Sequence, residues 1–333
     1  MFLALFYGLT FCATAFLASD STKRVAVTFL PLFLLGAMVS ISRSTLNTGD
    51  LPVYAEGFAD DEWTFYYLRE APFWYVGRTL TSFTGSVRTT FFLIDVATIF
   101  LLTRAFGGRL NIQLVVLLFA FPSILGFTNI YRQLIGSVLM MLALRDLRSR
   151  RLCGVLLAAF ASTVHVALVG VCLSLLIACL LRPGNRRWLV IALPLLGLTW
   201  INIQPGIGLL DVTGGTESRG DTGLLYVILG VLVHIVCTRL LWRDKRLRTL
   251  HLGLLIYFGA GAASLAVVPD STGTRVMMTS LYLSSFLALA SLGEARSKRR
   301  SAKIYTLALG CLLITPLIVS DSAWHLIFGY VID

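Results

Sequence analysis

The sequence predicts an all-α, polytopic integral membrane protein with about eleven to twelve transmembrane crossings, one of the elements being a broken helical hairpin. Three observations predict it. Hydrophobic residues make up 57% of the 333 and charged residues only 14%, with a mean hydropathy of +0.82, well away from the averages of soluble domains. Apolar runs recur along the whole chain between short polar segments. The basic residues gather in clusters between those runs, which is how cytoplasmic loops orient a membrane protein. The net charge of +11 is therefore an orientation signal, and nucleic acid is not implied as a partner.

Taken in order, the apolar runs place spans near residues 2–18, 25–41, 88–103, 110–127, 130–144, 152–181, 188–203, 223–241, 249–268, 276–292 and 304–320. The first run has no Lys or Arg before it, so it reads as a span and not as a removable signal. The whole chain, 1–333, reads as a single transmembrane domain with a large outer loop at 42–87 and a smaller one at 204–222. Most of the 28 Lys and Arg fall in clusters at Lys23/Arg24, Arg104/Arg109, Arg145 to Arg151, Arg182 to Arg187, Arg239 to Arg248 and Arg296 to Lys303. All are assigned to the cytoplasm.

That assignment constrains the run at 152–181. Basic clusters on both flanks can share one side only if the chain between them crosses an even number of times. The run must therefore be a hairpin or a pair of half-helices, with a break expected at Ser162-Thr163-Val164-His165. Both termini then lie outside.

Arg43, Arg69, Arg78, Arg88, Arg132, Arg219 and Arg275 remain outside the clusters and land on or near the non-cytoplasmic side. Arg78 and Arg88 read as snorkelling to headgroups and Arg219 as a solvated loop residue; anionic partners are expected for others. The outer loop collects Asp50, Glu56, Asp60, Asp61, Glu62 and Glu70, and its second half places Phe73, Val76, Leu80 and Phe83 at helical spacing. It reads as a helix lying in the interface. Trp63, Tyr66 and Trp74 read as an aromatic belt, with sugar stacking as the alternative. The six cysteines (Cys12, Cys153, Cys172, Cys179, Cys237, Cys311) lie in apolar runs without recurrent spacing, so neither a disulfide framework nor a metal site is supported. The Gly-rich loop at 204–222 lacks the lysine and spacing of a phosphate-binding loop. His234 and His251 read as helix-bridging residues, and Asp95 as an arginine partner or a structural polar group.

Two places interrupt the apolar pattern with polar residues: Pro122 to Arg132, and Ser162 to His165. Polar backbone at membrane depth is tolerated where it is buried in protein or lines a water-filled cavity. An outward-opening polar cavity is thus expected, faced by Arg132, Gln133, His165 and Arg275. An arginine at bilayer depth costs about 2.5 to 3.5 kcal/mol on insertion scales, so Arg132 needs a reason to be there. Guanidinium groups keep their charge and present a planar fork to phosphate oxygens. Two or three of them suit a pyrophosphate without a metal. Histidine is the side chain best poised to accept a hydroxyl proton near neutral pH, although a lone histidine in an apolar run is more often a helix-helix hydrogen-bonding residue.

The segments "NTGDLPVYAEGF", "REAPFW", "TNIYRQLIGSVLMMLALRDLRSRR" and "LAAFASTVHVALVG", in that order over about residues 42–175, resemble the EpsG family of Wzy-like polysaccharide polymerases. Gly136 stands where the family usually has alanine. In the second half only the placement of Arg275 at the start of a late span is similar. The resemblance implies a GT-C-like membrane glycosyltransferase that joins undecaprenyl-pyrophosphate-linked repeat units, as in O-antigen, capsule or exopolysaccharide assembly. It would act in the bacterial cytoplasmic membrane, its site facing the periplasm or the exterior. His165 would be the base and Arg132, with Arg275, would stabilise the departing pyrophosphate. Gln133, Asn129, Asp50, Tyr54, Glu70 and Arg69 would bind substrate, Asp50 and Glu70 by orienting sugar hydroxyls or holding the arginines. No cofactor and no metal is implied. The partners would be the lipid-linked donor and acceptor and membrane lipids, with a chain-length regulator as a further candidate.

Two other functions compete. A flippase of lipid-linked oligosaccharide calls for ionisable residues through the midplane and often for repeated halves, and the sequence shows a midplane nearly free of charge and no repeat. A transferase decorating a finished polysaccharide would add single sugars and leave chain length alone.

Overall fold

The computed structural model describes residues 50–60, 62–108, 111–128, 130–149, 151–180, 220–267, 271–294 and 299–319. The expected spans at 2–18, 25–41 and 188–203, most of the loop at 204–222, and Asn129, Arg43 and Arg219 lie outside the described residues. The described residues form helices without a strand among them, as composition and periodicity predict. The chain divides into two compact units, 1–138 with 289–333, and 139–288.

In the first unit the segment expected to form the outer loop is itself helical: α1 (Leu51–Ala59), α2 (Phe65–Leu68) and α3 (Ala71–Thr84) precede α4 (Val87–Ala105). Pro52 and Pro72 stand in the first turns of α1 and α3, where a missing N–H costs nothing. Gly85, at φ 66°, ends α3 in the left-handed conformation. Ser86 caps α4 by accepting from the Thr89 amide at 3.3 Å.

Helices α1 and α3 lock together through two glycines. A Cβ on Gly57 would lie 2.4 Å from the Trp74 ring, and one on Gly77 would lie 2.1 Å from the Phe58 ring. Each helix thus offers a glycine as the socket for the other's aromatic side chain. This contact chooses the packed face of α3, which is Phe73, Trp74 and Gly77. Of the apolar stripe, Phe73 is buried on this face, whereas Val76 and Phe83 are exposed on the protein surface.

The run at 110–127 is not one helix. It forms α5 (Ile112–Leu118) and α6 (Phe121–Thr128). Pro122 has no N–H for the Leu118 carbonyl and its ring would crowd that group. Ser123 meets the exposed helix end by donating its hydroxyl to the Leu117 carbonyl at 2.6 Å. A second break follows before α7 (Tyr131–Ser149), with the Ile130 amide donating to Leu125 O at 3.1 Å. Helix α13 (Arg299–Val319) packs on α5 and α6.

The second unit begins along α7 and contains the expected hairpin. The run at 152–181 forms α8 (Arg151–Val164) and α9 (Ala167–Leu180), separated at His165 and Val166. The two arms pack on each other, and Ser162 Oγ lies 3.1 Å from Cys172 Sγ across the turn. At 14 residues each, the arms reach about 21 Å, short of a full bilayer crossing. Helices α10 (Gly220–Leu241), α11 (Lys245–Val267) and α12 (Ser271–Glu294) complete the unit. Gly253 brings α11 against the Leu175 backbone of α9, and Gly230 of α10 receives the Phe258 ring of α11. Gly223–Leu241 and Gly273–Gly293 are long and apolar enough to cross a membrane among the described residues. Cys153, Cys172, Cys237 and Cys311 are free thiols.

Candidate functional site

Tyr131 and Arg132 open α7 directly after the second helix break, and both side chains turn into the aromatic cluster of α1, α2 and α3. Tyr131 is fully buried and donates its hydroxyl to Asp95 Oδ1 at 2.8 Å. Asp95, completely buried in α4, is therefore a partner of this tyrosine.

Arg132 forms an ion pair and hydrogen bond from Nη1 to Glu70 Oε2. Only 17% of the arginine side chain and 5% of the glutamate side chain is exposed, so the two charges face each other out of water. Three aromatic rings complete the enclosure: the guanidinium carbon lies 5.3 Å from the Tyr54 ring, 5.2 Å from Tyr66 and 5.4 Å from Trp74. The negative ring faces compensate a desolvated cation by about 0.5 to 2 kcal/mol each. Arg132 Nε has no hydrogen-bond partner. Trp74 is completely buried, which corrects its placement in an interfacial aromatic belt: it is a wall of the arginine enclosure.

The electrostatics of the tyrosines follow from this enclosure. Burial pushes the Tyr54 phenol well above its usual range, with the Asp50 and Glu70 charges adding to the rise and Arg132 opposing it. Burial likewise raises Tyr66, again against Arg132. Both stay protonated and so can donate a hydrogen bond without bringing a second negative charge to Glu70. The Tyr54 hydroxyl already points to Asp50 Oδ2 at 3.5 Å.

Of the residues expected at the site, the structure brings Arg132, Glu70, Tyr54 and Asp50 together in the first unit. Gln133 is buried beside them in sequence, on the next position of α7. Arg69 is half-buried with an unpartnered Nε. Asn129 lies outside the described residues. His165 and Arg275 belong to the second unit. His165 occupies the α8–α9 turn, half-buried, with its amide on Ala161 O at 3.2 Å; Tyr257 of α11 pins the next helix start by donating to Ala167 O at 2.7 Å. Arg275 is half-buried in the first turn of α12.

Sequence reasoning gave Asp50 and Glu70 as residues that could hold Arg132 and Arg275, without selecting the Glu70–Arg132 pair, and it missed Tyr66 and Trp74 as walls. The available signal was the pair of glycines, Gly57 and Gly77, each one helical turn from aromatics. Arg78 is corrected as well. It does not snorkel: its Nε donates to Gly57 O at 2.9 Å and its side chain is only 11% exposed.

Among the described residues no group of three or more His, Cys, Asp or Glu comes together. The enclosure can hold a permanent positive charge in a poorly solvated place, where it acts on a nearby anion far more strongly than it would in water. The model of the EpsG family matches residues 27–330. No curated protein and no solved structure matches the chain.

Proposed function

The chain belongs to the EpsG family, a family of polysaccharide polymerase-like membrane proteins, and we propose that it joins lipid-pyrophosphate-linked glycan repeat units at the outer face of the cytoplasmic membrane. In this reading it is a GT-C-like glycosyltransferase that moves a growing chain from its undecaprenyl pyrophosphate onto the next lipid-linked unit. The observation that carries it is the caged Arg132. A guanidinium buried among Tyr54, Tyr66 and Trp74 and neutralised by Glu70 is a costly arrangement. An anionic substrate that replaces the carboxylate gives it a purpose.

The proposed chemistry assigns roles residue by residue. As the bond from the sugar to the pyrophosphate breaks, negative charge builds on the departing phosphate oxygen. Arg132, with Glu70 displaced, stabilises that charge through its fork, and Arg275 serves as a second cation for the same leaving group. The attacking sugar hydroxyl loses its proton to His165, which sits half-buried on a helix break. Gln133, Asn129, Asp50 and Arg69 contribute hydrogen bonds to sugar and phosphate.

Chain length tests this reading. Arg132→Ala protein, inserted in the membrane at normal levels, should leave single repeat units in place of a ladder of long chains. A full-length ladder would overturn the role of Arg132. His165→Ala should shorten the ladder while leaving the Glu70-to-Arg132 enclosure intact. Transfer of labelled lipid-linked sugar across vesicles without extension would instead favour a flippase.

A further inference from the structure

A second guanidinium lies in the same outer segment, and nothing above gives it work. Arg78 Nε is fixed on Gly57 O at 2.9 Å, and the guanidinium carbon lies 4.6 Å from the Trp63 ring and 4.3 Å from the Tyr67 ring. Both Nη1 and Nη2 are buried without a hydrogen-bond partner. Asp60 Oδ2 approaches Nη2 only to 3.8 Å, and Asp60 Oδ1 is occupied by the Glu62 amide at 2.9 Å. Leaving a buried charged donor unsatisfied costs about 1 to 3 kcal/mol or more. Two such donors on one planar fork point to an acceptor that arrives from outside.

We propose that Arg78, with Trp63 and Asp60 beside it, is a subsite for a carboxylate-bearing sugar of the glycan. The assignment rests on the polymerase reading for the source of that sugar. The parts match the ligand one by one. A carboxylate is planar and can accept from both Nη groups at once. The exposed indole of Trp63, 43% accessible, offers an apolar face for the C–H side of a pyranose. Asp60 and the exposed Glu62 can accept from sugar hydroxyls.

The same two carboxylates disfavour a dianionic phosphate. Asp60 already offsets part of the arginine charge, so a dianion would meet repulsion that a singly charged carboxylate meets at half strength. Entry requires Trp63 to swing off the guanidinium. Its position at the surface, next to Asp60 with a 37% exposed side chain, lets it do so without disturbing the packed rings. Tyr67 touches both Arg78 and the Trp74 wall of the Arg132 enclosure, its ring 4.8 Å from that of Trp74. Tyr67 and Trp74 thus connect the two guanidiniums through ring contact.

Saturation-transfer NMR on the full chain in sugar-free detergent micelles tests this directly, with methyl β-D-glucuronide, methyl β-D-galacturonide, methyl β-D-glucoside and inorganic phosphate as probes. At least one uronide should bind saturably and at least tenfold more tightly than the glucoside, and phosphate at the same concentration should not displace it. Arg78→Gln should reduce uronide binding to the glucoside level. Trp63→Ala, a change at the surface that leaves the packed rings in place, should weaken it severalfold. No saturable uronide signal, equal binding of glucoside, displacement by phosphate, or unchanged binding in both variants would each overturn the proposal. The readout needs no turnover, so it stands even if the polymerase reading fails. Loss of the subsite alone would leave chain extension from neutral repeats intact.

Discussion

Around Arg132 the chain buries a full charge and surrounds it with Glu70, Tyr54, Tyr66 and Trp74. Among the described residues of α10, α11 and α12 the buried polar groups are ones that can be neutral. There His234 Nε2 lies 3.3 Å from Ser280 Oγ, His251 Nε2 lies 3.0 Å from Thr238 Oγ1, and the two imidazole rings stack 5.1 Å apart. The difference teaches how each region should fail. A buried charge is supported by all its neighbours or by none, because removing the counter-ion leaves the whole desolvation cost behind. A neutral hydrogen bond lost between helices costs little, since the remaining partner keeps no net charge.

Glu70→Ala is therefore expected to give the largest effect. It strands the Arg132 cation among three rings and should cost about 3 to 5 kcal/mol, read as protease cleavage in the α1–α3 segment and loss of cooperative melting. Replacing the pair together by apolar residues, Glu70→Leu with Arg132→Met, should recover most of that stability while restoring no long polymer. That separates the structural part of the pair from its chemical part. If Glu70→Ala melts like the parent protein, the carboxylate is not the counter-ion on which Arg132 depends, and the contrast between the two regions breaks.

The enclosure also depends on the approach of α1 to α3, which a single methyl tests. Gly77→Ala would place a Cβ 2.1 Å from a Phe58 ring carbon, and Gly57→Ala one 2.4 Å from the Trp74 ring. Both rings are buried and cannot swing aside, so each substitution should cost about 1 to 3 kcal/mol by overpacking. A thermal melt of the purified variants measures it. Because Trp74 walls Arg132, Gly57→Ala should lower polymer yield more than Gly77→Ala at equal loss of stability. The reverse order would mean that the ring does not position the guanidinium.

These positions show what could be read from the sequence and what could not. The α8–α9 hairpin was legible because charge parity across 152–181 forces an even number of crossings, and His165 falls at its break. Arg132 was legible because a cation inside an apolar run demands an explanation. Its partner was narrowed only to Asp50 or Glu70. Glu70 lies 62 residues away, with Arg69 and Arg78 nearer along the chain, and only tertiary packing selects among them. Arg78 was misread for the converse reason. In sequence it resembles any interfacial arginine on an aromatic helix, and its stacking on Trp63 and Tyr67 exists only once α1, α2 and α3 fold on one another. The break before Phe121 was half visible in Pro122. The packed face of α3 was missed because apolar spacing takes no account of glycines, although Gly57 and Gly77 mark where α1 and α3 approach.

The smallest effect should come from the second unit, with Ser280→Ala. Ser280 donates to the Leu254 carbonyl of α11 and lies against His234 of α10, so it links three helices through one hydroxyl. Alanine removes that link and leaves a hole of one oxygen. Leu254 O keeps its helical amide, and His234 can remain a neutral imidazole without the serine. The loss should be about 0.5 to 1.5 kcal/mol, a melting shift of a few degrees, with polymer length unchanged. Should Ser280→Ala destabilise the protein as much as Glu70→Ala, a neutral hydrogen bond could not account for it. His234 would then have to carry a charge that the serine solvates, and the bundle would be burying charge just as the outer segment does.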